Sequence, residues 1–195
     1  MILRFSQSFA FLISHNLPLL IIDASICQEI RRDSRRHALI RQATAKDIER
    51  LSEIARLAYR GYVSRIGREP APMTADFTSM VAKGQVWVLD KSPVEGFIVM
   101  YPSGTAMQIE NVAVDPIQHG YGFGAQLLQF AEDEAIRSGL EKITLYTNIH
   151  MTENLSFYPS LGFRETGRRR EDGFDRVYFA KSLDVTDISR TQDAS

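Results

Sequence analysis

Cysteine is nearly absent from this chain of 195 residues, which contains only Cys27. One cysteine cannot form an intrachain disulfide or a cysteine-based zinc site, which fits a reducing compartment. We expect a cytoplasmic protein that uses no metal. Net charge is also lacking, because 23 Lys and Arg residues stand against 24 Asp and Glu residues. Without a global basic field, we expect no binding to nucleic acid or to an anionic membrane.

The chain has no uninterrupted hydrophobic run either. Its most apolar stretch, residues 1–23, contains several polar residues and a proline, which argues against a membrane-spanning helix. A secretory signal peptide is the closer alternative, but no clean cleavage site follows. We therefore interpret residues 1–36 as an irregular extension, residues 37–183 as the folded domain and residues 184–195 as a loose tail.

The composition is that of an ordinary globular domain. Hydrophobic residues make up 44% of the chain and charged residues 24%, which excludes disordered, collagen-like and coiled-coil chains. Thr44 and Asp47 form a helix-capping signal, and a helix is expected from there to Gly61. Further helices are predicted at 74–83, 122–138 and 152–160, and strands at 38–42, 85–90, 94–101, 107–114, 142–147, 163–170 and 174–181. This order predicts a mixed α/β fold with a central sheet covered by helices.

In the predicted strand 107–114, the apolar residues shift from odd-numbered to even-numbered positions. Its bulky apolar residues stand at positions 107 and 109, and then at 112 and 114. Side chains alternate with a period of two, so the switch requires an extra residue, and we expect a β-bulge near Glu110 and Asn111. A bulge would splay the strand from its neighbour and leave backbone groups free to bind a ligand. The alternative is a plain buried strand whose polar residues find partners.

Three alternating glycines follow this strand, in the sequence VAVDPIQHGYGFGAQLL of residues 112–128. Glycines let a ligand approach the backbone, and the helix that begins there presents unpaired amides, so the segment suits phosphate. A P-loop is excluded, because neither Lys nor Ser/Thr stands at the required positions. Residues 120–125 match a dinucleotide-binding fingerprint only formally, since no acidic residue ends the next predicted strand. A glycine-rich turn without a ligand is the remaining alternative.

Two motifs resemble the GNAT superfamily of N-acetyltransferases, over roughly residues 39–183. His119 to Gly124 follow the family's loop Gln/Arg-x-x-Gly-x-Gly/Ala, with His119 at the Gln/Arg position, and Tyr158 to Phe163 resemble its tyrosine followed by Leu-Gly-Phe. The resemblance implies a mixed, mostly antiparallel sheet of six to seven strands with about four helices, a splayed strand, and acetyl-CoA as cosubstrate. The residues that it assigns to the cofactor are Val112, Ala113, Val114, His119, Gly120, Tyr121, Gly122, Phe123, Gly124 and Ala125.

Acetyl transfer to an amine requires a neutral amine, a polarised carbonyl and a proton for the leaving thiolate. By the resemblance, Tyr158 is the general acid; its alternative is a core aromatic, and Pro159 is expected to bias it away from helical geometry. Glu110 is the candidate base, directly or through water, or else a surface carboxylate. The family's asparagine seven residues before the tyrosine is Met151 here, so Asn154 is the candidate for its contact with the cofactor.

The resemblance also implies that the region between the first two helices walls the acceptor site. Tyr62 and Arg65 could receive an acidic or polar small molecule, or could be solvated side chains beside a loop. The sequence as a whole predicts a monomeric or homodimeric N-acetyltransferase for a primary amine of a small molecule or peptide, acting by direct attack. The leading alternative is a non-catalytic acyl-CoA-binding module of the same fold, and a third is a nucleotide-dependent oxidoreductase.

Overall fold

A computed structural model describes residues 39–184, so the predicted extension 1–36 and all but the first residue of the predicted tail lie outside the described residues. The strands are β1 (Ile40–Gln42), β2 (Val86–Leu89), β3 (Gly96–Ser103), β4 (Ala106–Val114), β5 (Lys142–Asn148), β6 (Arg164–Glu171) and β7 (Phe174–Ser182). The helices are α1 (Ile48–Tyr59), α2 (Val63–Ile66), α3 (Phe77–Ala82), α4 (Phe123–Arg137) and α5 (Thr152–Ser160). Short 3-10 turns cover Ala45–Asp47, Arg60–Tyr62, Ala71–Thr74 and Pro116–Gln118.

The seven strands form one mixed sheet in the order β1-β2-β3-β4-β5-β7-β6. Neighbouring strands are antiparallel except for β4 and β5, which run parallel. The connection between those two strands is the crossover helix α4, as a parallel pair requires. The predicted mixed, mostly antiparallel sheet with flanking helices is confirmed.

Both faces of the sheet are covered, and β3 shows this most clearly. Phe97 and Val99 belong to the core formed with α1 and α3, whereas Ile98 and Met100 belong to the core formed with α4 and α5. Alternate residues of one strand point to opposite faces, so a strand buried on both sides is a continuous apolar run.

The first helix begins as predicted. The Asp47 carboxylate accepts hydrogen bonds from the Thr44 amide at 2.8 Å and the Thr44 hydroxyl at 2.9 Å. α1 ends at Tyr59, close to the predicted end at Gly61, but Gly61 does not stop the helical path, because the chain continues through a 3-10 turn into α2 and stops at Gly67. Gly67 has a φ of 82°, the left-handed conformation that terminates helices, whereas Gly61 is not among the residues with positive φ.

The expected effect of Pro159 is also wrong, since Tyr158 lies within α5 and Pro159 occupies its last turn. The Tyr158 ring packs between Phe163 and Phe179, with ring centroids 5.9 and 5.6 Å away. Its carbonyl accepts hydrogen bonds from the amides of Leu161 and Phe163. Core packing and the helix cap thus outweigh the local preference of a residue before proline.

Within residues 39–184, no helix is both long enough and apolar enough to span a bilayer. The same part of the chain contains no group of three or more His, Cys, Asp or Glu side chains that could hold a metal ion.

Candidate active site

The parallel strands β4 and β5 separate halfway along their length. They pair from Ala106 opposite Lys142 to Ile109 opposite Leu145, and no further, although both strands continue. On the other side of β4, Asn111 pairs with Val99 and Ile109 with Met100, so Glu110 is the extra residue. The β-bulge predicted from the sequence is confirmed, and it lies where the gap between the strands opens.

One edge of β4 faces this gap. The Asp115 amide donates to the Glu95 carbonyl at 2.8 Å, on the side of β3. Backbone groups of successive residues point to alternate sides of a strand, so Ala113 also faces β3 while Val112 and Val114 face the gap. Of the three strand residues assigned to the cofactor, two therefore present their backbone groups to the gap and Ala113 does not.

Two carbonyl oxygens on that edge lie within hydrogen-bond distance of side chains. The Tyr59 hydroxyl lies 3.2 Å from the Val112 carbonyl oxygen, and Nε2 of His119 lies 3.1 Å from the Val114 carbonyl oxygen. The amides of Val112 and Val114 lie on the same edge, and β5 no longer pairs there. This edge can therefore donate backbone hydrogen bonds to a ligand.

The glycine loop, residues 119–122, ends at the N-terminus of α4. Gly120 and Gly122 have φ values of 83° and 82°, and open space surrounds the Cβ position of both. The first hydrogen bond of the helix runs from the Gln126 amide to the Gly122 carbonyl, so the amides of residues 123–125 have no partner inside the helix. Such amides, together with the helix dipole, favour an anion. Gly124 differs, because a Cβ there would lie 3.6 Å from Phe157 on α5. The Cβ position of Gly124 therefore faces that helix.

The strand end before the loop is fixed by Asp115. Its carboxylate accepts a hydrogen bond from the Ile117 amide at 3.0 Å and forms an ion pair with Arg50 of α1. Burial by itself raises the pKa of Asp115, but the Ile117 amide and the Arg50 guanidinium outweigh burial and hold this pKa below its usual value. The ionised carboxylate thus anchors the loop to α1.

A cavity of about 280 Å³ lies at the open end of β4 and β5. Its polar lining consists of Tyr59, Glu110, Asn111, Tyr146, Thr147, Asn148, Asn154, Tyr158 and Arg176. The two candidate catalytic residues, Glu110 and Tyr158, thus line one cavity although 48 positions separate them in the sequence.

Glu110 accepts hydrogen bonds from two tyrosines. The Tyr146 hydroxyl donates to one carboxylate oxygen at 2.9 Å, and the Tyr101 hydroxyl donates to the other at 3.3 Å. Burial and the nearby carboxylate raise the pKa of Tyr146, so its hydroxyl stays protonated as a donor. The carboxylate therefore has a fixed orientation at the bulge.

Asn111 presents a buried donor with no partner. Its side-chain Oδ1 lies 2.7 Å from the Tyr59 hydroxyl, while its Nδ2 has no hydrogen-bond partner in the part of the chain that the structure describes, although the residue is only 6% exposed. Buried polar groups are nearly always paired, and this one lines the cavity. Asn111 is thus suited to donate to an acceptor atom of a bound ligand.

Tyr158 is 6% exposed and borders the cavity from α5. Burial raises the pKa of its hydroxyl above the ordinary value, so this group retains its proton throughout the neutral range. Asn154, one turn earlier, donates from Nδ2 to the Thr147 hydroxyl at 2.9 Å, and Met151 is buried beside both. Asn154 therefore connects α5 to β5 beside the gap.

Sequence reasoning missed Tyr59, Asn111, Tyr146 and Arg176 as site residues. Asn111 could have been predicted as a site residue, because the sequence already placed this polar residue at the expected bulge. Tyr59, by contrast, lies 52 positions before Asn111, and its place at the site follows only from how α1 packs across the sheet.

Residues 82–165 match the family model described as "Acetyltransferase (GNAT) domain". This match includes the bulged strand, the glycine loop, α4, β5 and α5. A sequence comparison with curated proteins finds no match.

Solved structures share the fold. PaiA N-acetyltransferase from Thermoplasma acidophilum, in complex with coenzyme A, is 19% identical with a TM-score of 0.63, over 75% of this chain and 99% of that one. The ribosomal-protein-S18-alanine N-acetyltransferase from Escherichia coli is 22% identical with a TM-score of 0.61, over 75% and 94%. YncA from Salmonella typhimurium, described as "a putative acetyltransferase" with its cofactor acetyl-CoA, is 22% identical with a TM-score of 0.58, over 76% and 95%. The match of residues 82–165 to the GNAT acetyltransferase domain and the fold shared with these structures are what this chain has in common with known acetyltransferases.

Proposed function

We propose that this protein transfers the acetyl group of acetyl-CoA to a primary amine by direct attack of the amine. One observation carries the proposal: a single strand, β4, brings the required groups together in series. Glu110 stands on its bulge, the unpaired edge at Val112 and Val114 follows, and one short 3-10 turn leads from its end to the glycine loop. A donor molecule with a pyrophosphate, an amide-containing arm and a reactive acyl end matches this series.

The residues present fit acetyl-CoA. The amides at the N-terminus of α4 and in the glycine loop suit its pyrophosphate, and the gap-facing edge of β4 suits the amides of its pantetheine arm. The unpaired Nδ2 of Asn111 suits a carbonyl oxygen at the acyl end. When bound, acetyl-CoA supplies the thioester and its thiolate leaving group. The residues proposed to hold it are Asn111, Val112, Val114, Asn154 and His119 to Ala125.

Two side chains are proposed to move protons. Glu110 takes a proton from the acceptor ammonium, directly or through water, and so provides the neutral amine that can attack. Tyr158 donates its hydroxyl proton to the departing sulfur, a role supported by a pKa raised by burial, because the group is then fully protonated at neutral pH. Both residues line one cavity, which supports their action on one reacting centre.

The cofactor assignment is tested by calorimetric titration of the full chain with acetyl-CoA, CoA and NAD. Gly120→Ala is compared with Gly104→Ala, because both glycines have positive φ and open space around the Cβ position. Each change costs a similar strain, about 1 kcal/mol. We expect acetyl-CoA to bind the wild type, and its affinity to fall about tenfold only in Gly120→Ala. Equal affinities in both variants, or binding of NAD instead, contradict the assignment.

Catalysis is tested separately by the release of free CoA thiol with a panel of primary amines. An enzyme releases CoA only when a suitable amine is present. The non-catalytic alternative predicts that acetyl-CoA binds and that no amine accelerates thiol release.

A further inference from the structure

The part of the cavity away from β4 is apolar. Its wall is built by the end of α2, by the loop between α2 and α3, by α3 itself and by the start of β7. The residues are Ile66, Pro70, Pro72, Ala75, Met80 and Phe174. Prolines limit the conformations of this wall and present no amide donor to a ligand. An acceptor that fills this space gains from burial of an apolar body.

Arg176 is the cationic residue among those that line the cavity, and its charge is already compensated. Its guanidinium is paired with Glu171 at 3.0 Å and with Asp172 at 3.1 Å. It also stacks over the Tyr146 ring, 4.3 Å from the centroid. A carboxylate on a ligand would therefore have to compete with two carboxylates of the protein.

The arginines near the rim of the cavity are engaged as well. Arg65, expected from the sequence to receive an acidic molecule, forms an ion pair with Glu153 at 2.8 Å. Arg68 donates to the Asp172 carbonyl at 2.7 Å and stacks over Phe174, 3.5 Å from the ring centroid. These contacts argue against an anionic acceptor.

The inner end of the cavity is negative. Glu110 stands there with two tyrosine hydroxyls as partners, and within residues 39–184 no cation is among its hydrogen-bond donors. Arg176, which lies over Tyr146, brings two acidic partners with it. An ammonium group is attracted to such a site, and a second carboxylate next to Glu110 is repelled.

We infer that the acceptor is a small primary amine with a compact apolar body and no anionic group. This inference rests on the proposed function, since it describes the substrate of that same reaction. The ammonium lies at Glu110, and the apolar body lies against Met80, Phe174 and the proline-containing loop.

Three probe amines test the inference with the full chain. 2-Phenylethylamine has both features, phenylalanine adds only a carboxylate, and ethylamine lacks the apolar body. We expect kcat/KM for 2-phenylethylamine to exceed that for phenylalanine about 100-fold and that for ethylamine at least about tenfold. Comparable values for phenylalanine, or for ethylamine, overturn the inference.

Met80→Lys tests the wall, and Thr78→Lys on the same helix is its matched control, because Thr78 is exposed and does not line the cavity. We expect Met80→Lys to lower kcat/KM for 2-phenylethylamine about tenfold or more and to narrow its preference over phenylalanine. Thr78→Lys should leave kcat/KM for 2-phenylethylamine and its preference over phenylalanine unchanged. A general loss of folding cannot mimic this result, because a ratio of two substrates is compared in one sample. Equal ratios in both variants contradict the assignment of the wall.

Binding of the amine in the presence of CoA separates this inference from the proposed function. If acetyl-CoA binds but 2-phenylethylamine does not stabilise the CoA complex against heat, the substrate class is wrong and the cofactor assignment stands. If acetyl-CoA itself does not bind, the proposed function fails and the inference fails with it.

Discussion

The hydroxyl of Tyr59, at the end of α1, lies 2.7 Å from Oδ1 of Asn111 on the bulge of β4. Burial raises the pKa of Tyr59, so the hydroxyl remains a neutral donor. This contact fixes the Asn111 amide, whose Nδ2 has no hydrogen-bond partner among the described residues. Helix α1 thus orients a side chain that lines the cavity.

Tyr59→Phe is expected to destabilise the fold by about 1–3 kcal/mol, because it leaves the buried Asn111 without its partner. It should also lower kcat/KM about tenfold, since Asn111 loses its fixed orientation. A double-mutant cycle with Asn111→Ala, followed by urea unfolding and by acetyl-CoA titration, measures the coupling of the two residues. Additive effects would show that the two side chains act independently.

Tyr158→Phe is expected to lower kcat by about 10²-fold or more while acetyl-CoA binding stays within about twofold. The ring and its packing against Phe163 and Phe179 are retained, and only the proton donor is lost. Single-turnover kinetics with saturating acetyl-CoA provide the measurement. Unchanged turnover would assign Tyr158 to the core alone.

The pH dependence of kcat/KM is expected to rise with pH and to show no decline up to about pH 10. The rise reflects deprotonation of the acceptor amine, because an alkylammonium has a pKa near that of lysine, about 10.4. The decline is absent because burial raises the pKa of Tyr158 above the ordinary value near 10, so the acid keeps its proton. A decline that begins near pH 8 would exclude Tyr158 as the general acid.

Glu110→Gln is expected to lower kcat/KM at pH 7 and to have a smaller effect at pH 9.5. At the higher pH more of the amine is already neutral, so a base contributes less. The amide oxygen can still accept a hydrogen bond from Tyr146, which preserves part of the local structure. A loss of equal size at both values of pH would indicate a structural role for Glu110.

Two carboxylates that share Arg41 are expected to differ in their contribution to stability. Asp47 is mostly buried and Asp90 is about half exposed, and each pairs with Arg41 at 2.9 Å. The Arg41 guanidinium holds the pKa of Asp47 well below its usual range. We expect Asp47→Asn to cost on the order of 1 kcal/mol at pH 7 and Asp90→Asn much less.

The sign of the pH effect follows from that lowered pKa. The ionised form of Asp47 is favoured in the folded state, so its contribution is complete above the unfolded pKa near 3.9 and is lost as the pH falls below it. Urea unfolding at pH 7 and pH 3 should show that the difference in free energy of unfolding between wild type and Asp47→Asn becomes smaller at the lower pH. A difference in free energy of unfolding that does not depend on pH would contradict a stabilising role of ionised Asp47.

Local patterns in the sequence predicted much of the fold. Strand β3, the capping of α1 at Thr44 and the bulge at Glu110 depend on residues within a few positions of one another. Gly61 was predicted as the stop of the first helical segment, but the chain continues past it through a 3-10 turn and α2, because a glycine is compatible with helical dihedrals; of the two glycines, Gly67 takes the positive φ. Whether a glycine ends a helix depends on the packing beyond it.

The sequence by itself determined the mixed sheet, the bulge and the glycine loop, because alternation, capping and chain flexibility are properties of neighbouring residues. The tertiary structure decided which side chains share the cavity. Tyr59, Glu110, Tyr158 and Arg176 come from four different elements, and only the packing of α1 and α5 on the sheet brings them together. It also decided that Arg65 and Arg176 are compensated by Glu153, Glu171 and Asp172. Charge compensation depends on distances in space, and no spacing along the chain specifies those distances.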